Sequence, residues 1–209
     1  MRIFAFVSVT DPEARQDPWR ESLASVLNFA DRVVVVDGRR QARTEERARR
    51  DLPPNNQDPQ RVEMIWVYQD WPEEWSWEEL PRHLNLGLYH CDGDWAVRFD
   101  IDYVFPESWA ADLRPALEKH HDKRVATFQK FSSILSTRFN EKGGMPLAIN
   151  RQFTDTAFGK VGSYSDMCVP MVAEGMDERY GIPYGRVLRK EEVGKTGLKF
   201  YNYDYAFKT

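Results

Sequence analysis

Apolar positions along the first forty residues follow two different periods. Ile3-Phe4-Ala5-Phe6-Val7-Ser8-Val9 is a β-branched and aromatic run closed by Thr10-Asp11-Pro12, which predicts a buried strand ending in a polar turn. Leu23, Val26, Leu27 and Ala30 then recur at i, i+3, i+4 and i+7, the spacing of one helical face, before Asp31 closes the segment. Val33-Val34-Val35-Val36 runs unbroken into Asp37-Gly38, and an uninterrupted apolar run predicts a strand covered on both faces, as in a parallel sheet. Strand, helix and strand make a right-handed βαβ unit.

The alternation continues. Arg39 to Arg50 is charged with almost no apolar face and predicts a solvated helix and loop, stopped by Pro53-Pro54-Asn55-Asn56. Val62 to Tyr68 predicts a third strand, and Glu78 to Tyr89 a helix with Leu80, Leu84 and Leu88 on one side. A strand from Asp94 to Ile101 ends in Asp100-Ile101-Asp102, a helix follows over Glu107 to Leu117, and extended character returns from Arg124 to Leu135. Beyond Gly143 the pattern weakens: a short strand at Met145 to Ile149, an irregular or helical stretch at Met171 to Tyr180, and a loop at Gly181 to Gly185. Tyr201, Tyr203, Tyr205 and Phe207 then alternate with Asn202, Asp204 and Ala206, predicting a strand with an aromatic face at the boundary of a longer protein.

The expected fold is α/β, with a mostly parallel central sheet and helices on both faces. At 209 residues, 42% of them hydrophobic, the chain suits a single domain with a real core. Its 33 acidic residues outnumber 29 Lys and Arg, which argues against a nucleic-acid partner held by bulk charge. Cys91 and Cys168 stand too far apart in sequence to suggest a zinc knuckle or a disulfide framework, so a reducing, cytoplasmic location is expected. No stretch approaches the roughly 20 apolar residues of a transmembrane helix, and a soluble protein is expected.

Polar residues cluster where the predicted strands end: Thr10-Asp11, Asp37-Gly38 and Asp100-Ile101-Asp102. Open α/β sheets bind ligands at that edge. Several carboxylates facing one crevice call for a cation, and oxygen ligands with open positions suit Mg²⁺ or Mn²⁺. A D-x-D triplet alone says little, since composition gives about 1.4 of them by chance. Two occur. Asp92-Gly93-Asp94 precedes a strand and reads as a turn, whereas Asp100 and Asp102 follow an apolar run and can reach one ion.

Asn85-Leu86-Gly87, the turn at Asp92-Gly93-Asp94-Trp95, the apolar strand and Asp100-Ile101-Asp102 together resemble the N-x-G, G-D-aromatic, strand, D-x-D block of family 2 type glycosyltransferases with a GT-A fold. Glu21 to Leu27 leading into Val33 to Gly38 is similar to the first helix and second strand of that family. The matched stretches cover about residues 2–38 and 62–105, roughly half the chain. The resemblance implies one glycosyltransferase-like domain over 1–209, with a nucleotide-binding half to about residue 105 and an acceptor-side half from about 106.

It further implies a metal-dependent transfer of a sugar from a nucleoside diphosphate donor of the UDP, GDP or dTDP type to a hydroxyl acceptor, with inversion, in surface polysaccharide or glycoconjugate synthesis. Asp37 would contact the base or ribose, Thr10 or Asp11 would line the same pocket, and Asn85 would sit near the nucleotide or the metal-binding loop. Asp100 and Asp102 would hold the ribose and the metal ion. The chain departs from the family at Arg39-Arg40, where Ser, Thr and Asp are usual, and at Leu84, where an Arg is usual. Gly162-Ser163-Tyr164-Ser165-Asp166 resembles the segment that precedes the family's catalytic base; Asp177 ranks first as that base, then Asp166 and Glu174.

Four of the seven tryptophans, at 66, 71, 75 and 77, fall within twelve residues and suggest either sugar stacking or core packing. Two other readings stay open. A nucleotidyltransferase would use the same acidic strand end, although Thr10-Asp11-Pro12-Glu13 is not glycine-rich. A catalytically silent nucleotide- or sugar-binding module would keep the acidic edge as architecture alone.

Overall fold

A computed structural model describes residues 1–39, 43–52, 62–72, 74, 77–135, 138–161 and 169–203. Seven of its strands and four helices build the sheet and its cover: β1 (Ile3–Val9), α1 (Trp19–Val26), β2 (Arg32–Asp37), α2 (Thr44–Asp51), β3 (Glu63–Tyr68), α3 (Glu79–Tyr89), β4 (Trp95–Arg98), β5 (Tyr103–Val104), α4 (Trp109–Glu118), β6 (Val125–Leu135) and β7 (Arg138–Asn150). There follow β8 (Thr156–Phe158), β9 (Lys160–Val161), β10 (Pro170–Asp177), β11 (Ile182–Arg186) and β12 (Val193–Asn202), which completes the main sheet.

Eight strands form that sheet in the order β3-β2-β1-β4-β7-β6-β12-β5. β3, β2, β1 and β4 run parallel, and β7 turns the sheet antiparallel against both β4 and β6. β6 and β12 pair parallel again and β5 adds an antiparallel edge, so among the described residues the sheet is mostly parallel, with β7 and β5 its antiparallel strands. Side chains of β1 divide between the two faces, as a period of two requires. Ile3, Ala5, Val7 and Val9 join Trp19, Leu23 and Val26 of α1 and Trp109, Leu113 and Leu117 of α4. Phe4 and Phe6 join Val34 with Leu84 and Leu88 of α3 on the other face. β1 has no exposed face, which is why its sequence is apolar at almost every position.

The second half departs from the sequence expectations. β10 and β11 are strands of a separate four-stranded sheet, ordered β8-β10-β11-β9, where the sequence suggests an irregular or helical stretch and a loop. Beyond Val172, β10 alternates between half-buried and exposed positions only, and Gly185 lies where a Cβ would be 1.9 Å from the Val172 carbonyl oxygen, so this glycine serves close strand approach. β4 stops at Arg98, three residues before the expected end, and β7 extends well beyond the expected Met145 to Ile149. On β12 the half-buried Tyr201 packs on Phe131 and Phe139, while Phe200 and Asn202 point inward. Tyr205 and Phe207 lie outside the described residues.

Candidate active site

The C-terminal ends of the parallel strands bring the first group of predicted residues together. β2 pairs with β1 so that Asp37 stands level with Val9, and with β3 so that it stands level with Tyr68. Asp37 is buried, and its Oδ1 accepts a hydrogen bond from the Arg39 backbone N–H at 2.9 Å. Burial raises its pKa above the ordinary carboxylate value; the Arg39 N–H and Thr44 hydroxyl oppose this, and the charges of Asp70 and Asp11 reinforce it. Thr10 is the adjoining residue of β1's exit turn, and its Cγ2 lies 2.7 Å from where a Cβ on Gly38 would be. Asp11, in the left-handed region at φ 44°, receives the Ala14 N–H on its own Oδ1 at 3.3 Å.

Trp71 closes over this corner. A Cβ at Gly38 would lie 1.9 Å from its Cδ1, so only glycine permits the indole to sit there. The Trp71 N–H donates to the Gly38 carbonyl at 2.9 Å, and the ring stacks on His83 of α3 with centroids 4.5 Å apart. Burial lowers the His83 pKa to about 4, and its Nδ1 lies 3.3 Å from Ser8 Oγ. Of the remaining tryptophans in the cluster, Trp66 packs against the core and Trp77 is exposed, while Trp75 lies outside the described residues.

The second group is a turn rather than a strand end. Beyond Arg98 the Tyr103 N–H donates to the Asp100 carbonyl at 2.9 Å, so turn geometry, not strand alternation, sets the two carboxylates. Asp100 Oδ1 accepts from Arg98 at 2.8 Å; the guanidinium is buried, and its carbon lies 5.8 Å from the centre of the Phe158 ring. Desolvation works to raise the Asp100 pKa, but the Arg98 charge, hydrogen bonds from Arg98 and Tyr103, and the Lys130 charge hold it below the ordinary value. Asp102 Oδ2 accepts from Asn202 Nδ2 at 3.3 Å, and its carbonyl accepts from the Tyr203 N–H at 3.0 Å. Burial, then Asp100, and in smaller part Asp102 push the Tyr103 phenol above its usual pKa, so both carboxylates act on one point.

Asp100 and Asp102 offer two carboxylates, and no group of three or more His, Cys, Asp or Glu that could hold a metal ion gathers among the described residues, at this turn or elsewhere. Two carboxylates without a closed cage suit a hydrated Mg²⁺ or Mn²⁺ that takes its remaining ligands from water and phosphate oxygens. In that respect the residues present fit such an ion.

The other predicted residues fall elsewhere. Asn85 exchanges two hydrogen bonds with the Phe158 backbone, donating to its carbonyl at 2.7 Å and accepting its N–H at 2.8 Å. Asp177 lies at the β10–β11 turn, where its Oδ1 accepts the Arg179 N–H at 3.0 Å and its Oδ2 is 4.0 Å from Lys160 Nζ. Glu174 is exposed on β10. Neither is hydrogen-bonded or ion-paired to the Asp100–Asp102 turn among the described residues, and Asp166 lies outside them. The turn expected at Asp92 to Asp94 is present, with Asp94 Oδ2 accepting the Arg2 N–H at 2.5 Å.

Arg98, Lys130, His83 and Asn202 join the site without having been singled out in the sequence. Arg98 carries a readable signal: a cation within the apolar run Trp95 to Phe99, in a strand that buries both faces. The others carry none that is local.

No protein-family model matches the chain, and no curated protein sequence does either. Solved structures do. S. aureus TarS 1–349 in complex with UDP-GlcNAc superposes with a TM-score of 0.55 at 14% identity, covering 92% of this chain and 60% of that one. The same protein in another crystal gives 0.54 at 15%, covering 80% and 53%. The mannosyltransferase PcManGT from Pyrobaculum calidifontis, in complex with GDP-Man and Mn²⁺, gives 0.53 at 17%, covering 93% and 56%. The chain has the GT-A fold. It spans a little over half the length of these GT-A chains. Among the described residues, no helix of this GT-A chain is long and apolar enough to cross a membrane.

Proposed function

We propose that the chain is a metal-dependent glycosyltransferase of the family 2 type, moving a sugar from a nucleoside diphosphate to a hydroxyl acceptor with inversion. The observation that carries this reading is that the buried Asp37 ends β2 and the Asp100–Asp102 turn follows β4, the two strands that flank β1 in the parallel part of a GT-A fold. That TarS is solved with UDP-GlcNAc and PcManGT with GDP-Man and Mn²⁺ supports a nucleotide-sugar donor and a divalent ion.

In this reading Asp37 accepts a hydrogen bond from the base or ribose, with Thr10 and Asp11 lining the same pocket. Asp100 and Asp102 bind the ribose and the ion, which would neutralise the diphosphate as it leaves. Arg98 and Lys130 keep Asp100 ionised for that task. Asn85 holds Phe158 against Arg98 and so supports the donor side at one remove. A carboxylate among Asp166, Asp177 and Glu174 takes the acceptor proton, the freed oxygen attacks the anomeric carbon, and the glycosyl–phosphate bond breaks with its electron pair on the diphosphate. The nucleotidyltransferase reading loses support from the turn after β1, whose Arg15 N–H points back to the Asp11 carbonyl at 3.2 Å and not outward toward a triphosphate.

Titration calorimetry with UDP, GDP, dTDP and their sugars, with Mn²⁺ or with chelator, tests the reading. Metal-dependent binding of one nucleotide, lost in folded Asp100→Ala and Asp102→Ala variants, is the expected result. No binding across the panel by a folded protein would overturn it.

A further inference from the structure

The outer flank of α3 and the four-stranded sheet enclose a cleft of about 510 Å³, which reaches Gln69 and Asn85. Arg82, Tyr89, Arg151, Thr154, Thr156 and Met176 contribute to its lining. In a chain of net charge -4, this lining holds two arginines and no carboxylate among the described residues.

The two arginines differ. Arg82 is compensated, paired with Glu79 and donating to the Tyr180 carbonyl. Arg151 is anchored by one nitrogen only: Nε donates to the Cys91 carbonyl at 3.0 Å, and the residue forms no ion pair among the described residues. Such an anchor fixes the guanidinium plane and leaves its two terminal nitrogens for a bidentate acceptor, the geometry that suits carboxylate and phosphate.

A second observation points to a ligand in the same place. Thr156 is 2% exposed, and its Oγ1 has no hydrogen-bond partner although it lines the cleft. A buried hydroxyl left unpaired is costly, and a shift of the lining as a ligand enters would open this shielded oxygen to a ligand hydroxyl or anionic oxygen. Tyr89, 78% exposed, and Met176, 57% exposed, add a polarisable apolar surface at the mouth. An aromatic face beside fixed hydrogen-bonding groups suits a pyranose ring, whose C–H face is apolar and whose rim is polar.

We propose that this cleft is a second ligand site, which takes a sugar bearing a carboxylate or a phosphate, with the anion on Arg151 and the ring against Tyr89. The proposal does not require nucleotide binding, although Asn85, which supports the donor side in the reading above, also lines this cleft.

The test is NMR titration of the ¹⁵N-labelled full chain, without nucleotide, using D-glucuronate, D-glucose 1-phosphate, D-glucose and inorganic phosphate in separate arms. Saturable shifts at the Arg151 Nε–H and the Thr156 and Ala157 amides are expected with an anionic sugar and not with glucose. Binding of glucuronate alone identifies the carboxylate as the group recognised, and binding of glucose 1-phosphate alone identifies the phosphate. Arg151→Gln should weaken the affinity about tenfold through loss of the charged fork. Tyr89→Ala should weaken it about threefold through loss of the ring contact. The proposal is overturned by absent saturable shifts with both anionic sugars, by glucose or inorganic phosphate binding as tightly as they do, or by unchanged affinity in folded Arg151→Gln. Should loss of the Cys91 contact unfold Arg151→Gln, unchanged affinity in the exposed Tyr89→Ala variant overturns it instead.

Discussion

Arg98 and Asp100 form an unequal ion pair: 2.8 Å separates them, yet the arginine side chain is 3% exposed and the aspartate side chain 40%. Removing either partner therefore has a different consequence. Asp100→Ala strands a buried guanidinium and should cost about 3 kcal/mol, as for other broken buried pairs. Arg98→Met leaves a carboxylate that water can reach and should cost about 1 kcal/mol or less. Asp102→Ala loses the 3.3 Å contact with Asn202 and should cost about 1 kcal/mol. Urea unfolding of the three variants checks the order, and equal losses for Asp100→Ala and Arg98→Met would show that the pair is not buried on one side.

Folding stability should also carry the signature of His83. Its pKa is about 4 in the folded protein because the ring is buried, against about 6.5 when unfolded. The unfolded chain therefore binds the proton first as pH falls. Stability from this residue is complete above pH 6.5 and is lost as pH falls through about 4, on the order of 3 kcal/mol in all. Urea midpoints from pH 7.5 to 5 should decline in the native chain and decline less in His83→Phe, which keeps a ring to stack on Trp71. Parallel profiles would remove His83 as the source.

At Gly38 a single methyl decides whether the indole of Trp71 keeps its place. The added Cβ would meet Trp71 Cδ1 at 1.9 Å and Thr10 Cγ2 at 2.7 Å, so the ring must move. Gly38→Ala should cost about 1–3 kcal/mol, the usual range for overpacking, and alter the near-UV circular dichroism of the indole. In Gly38→Ala/Trp71→Ala the added cost of the first change should largely vanish. Additive losses would mean that the backbone at residue 38, not the ring, resists the methyl.

The contrast between β1 and β10 explains how far the fold is readable from residues alone. Ile3–Val9 is apolar throughout because neighbours cover both faces, and a run of that kind has one reading. Pro170–Asp177 alternates between half-buried and exposed positions beyond Val172, and Gly175 lies against the Tyr184 hydroxyl. Glycines that permit close strand approach look like loop punctuation in a sequence. The site divides in the same way. Asp37 and Asp100 are legible because each charge ends or follows an apolar run. The relation of Asn85 to Phe158, 73 residues away, has no local trace. Nor does that of Asp102 to Asn202, 100 residues away.

Asn85 offers a way to separate direct ligand contact from architectural support. Its side-chain amide satisfies both the N–H and the carbonyl of Phe158, whose ring lies on Arg98. Asn85→Ala should cost about 2–3 kcal/mol, since two bonds go and two backbone groups lose their partner. Asn85→Asp can still accept the Phe158 N–H, but it turns an oxygen toward the Phe158 carbonyl and should be no more stable than Asn85→Ala. If Asn85 acts only through Phe158, donor affinity in Asn85→Ala measured by calorimetry at 10 °C should fall in step with the Arg98→Met variant, and the two losses should not add in the double variant. Additive losses in a folded double variant would instead place Asn85 in direct contact with the nucleotide, because two residues acting through one wall share a single effect.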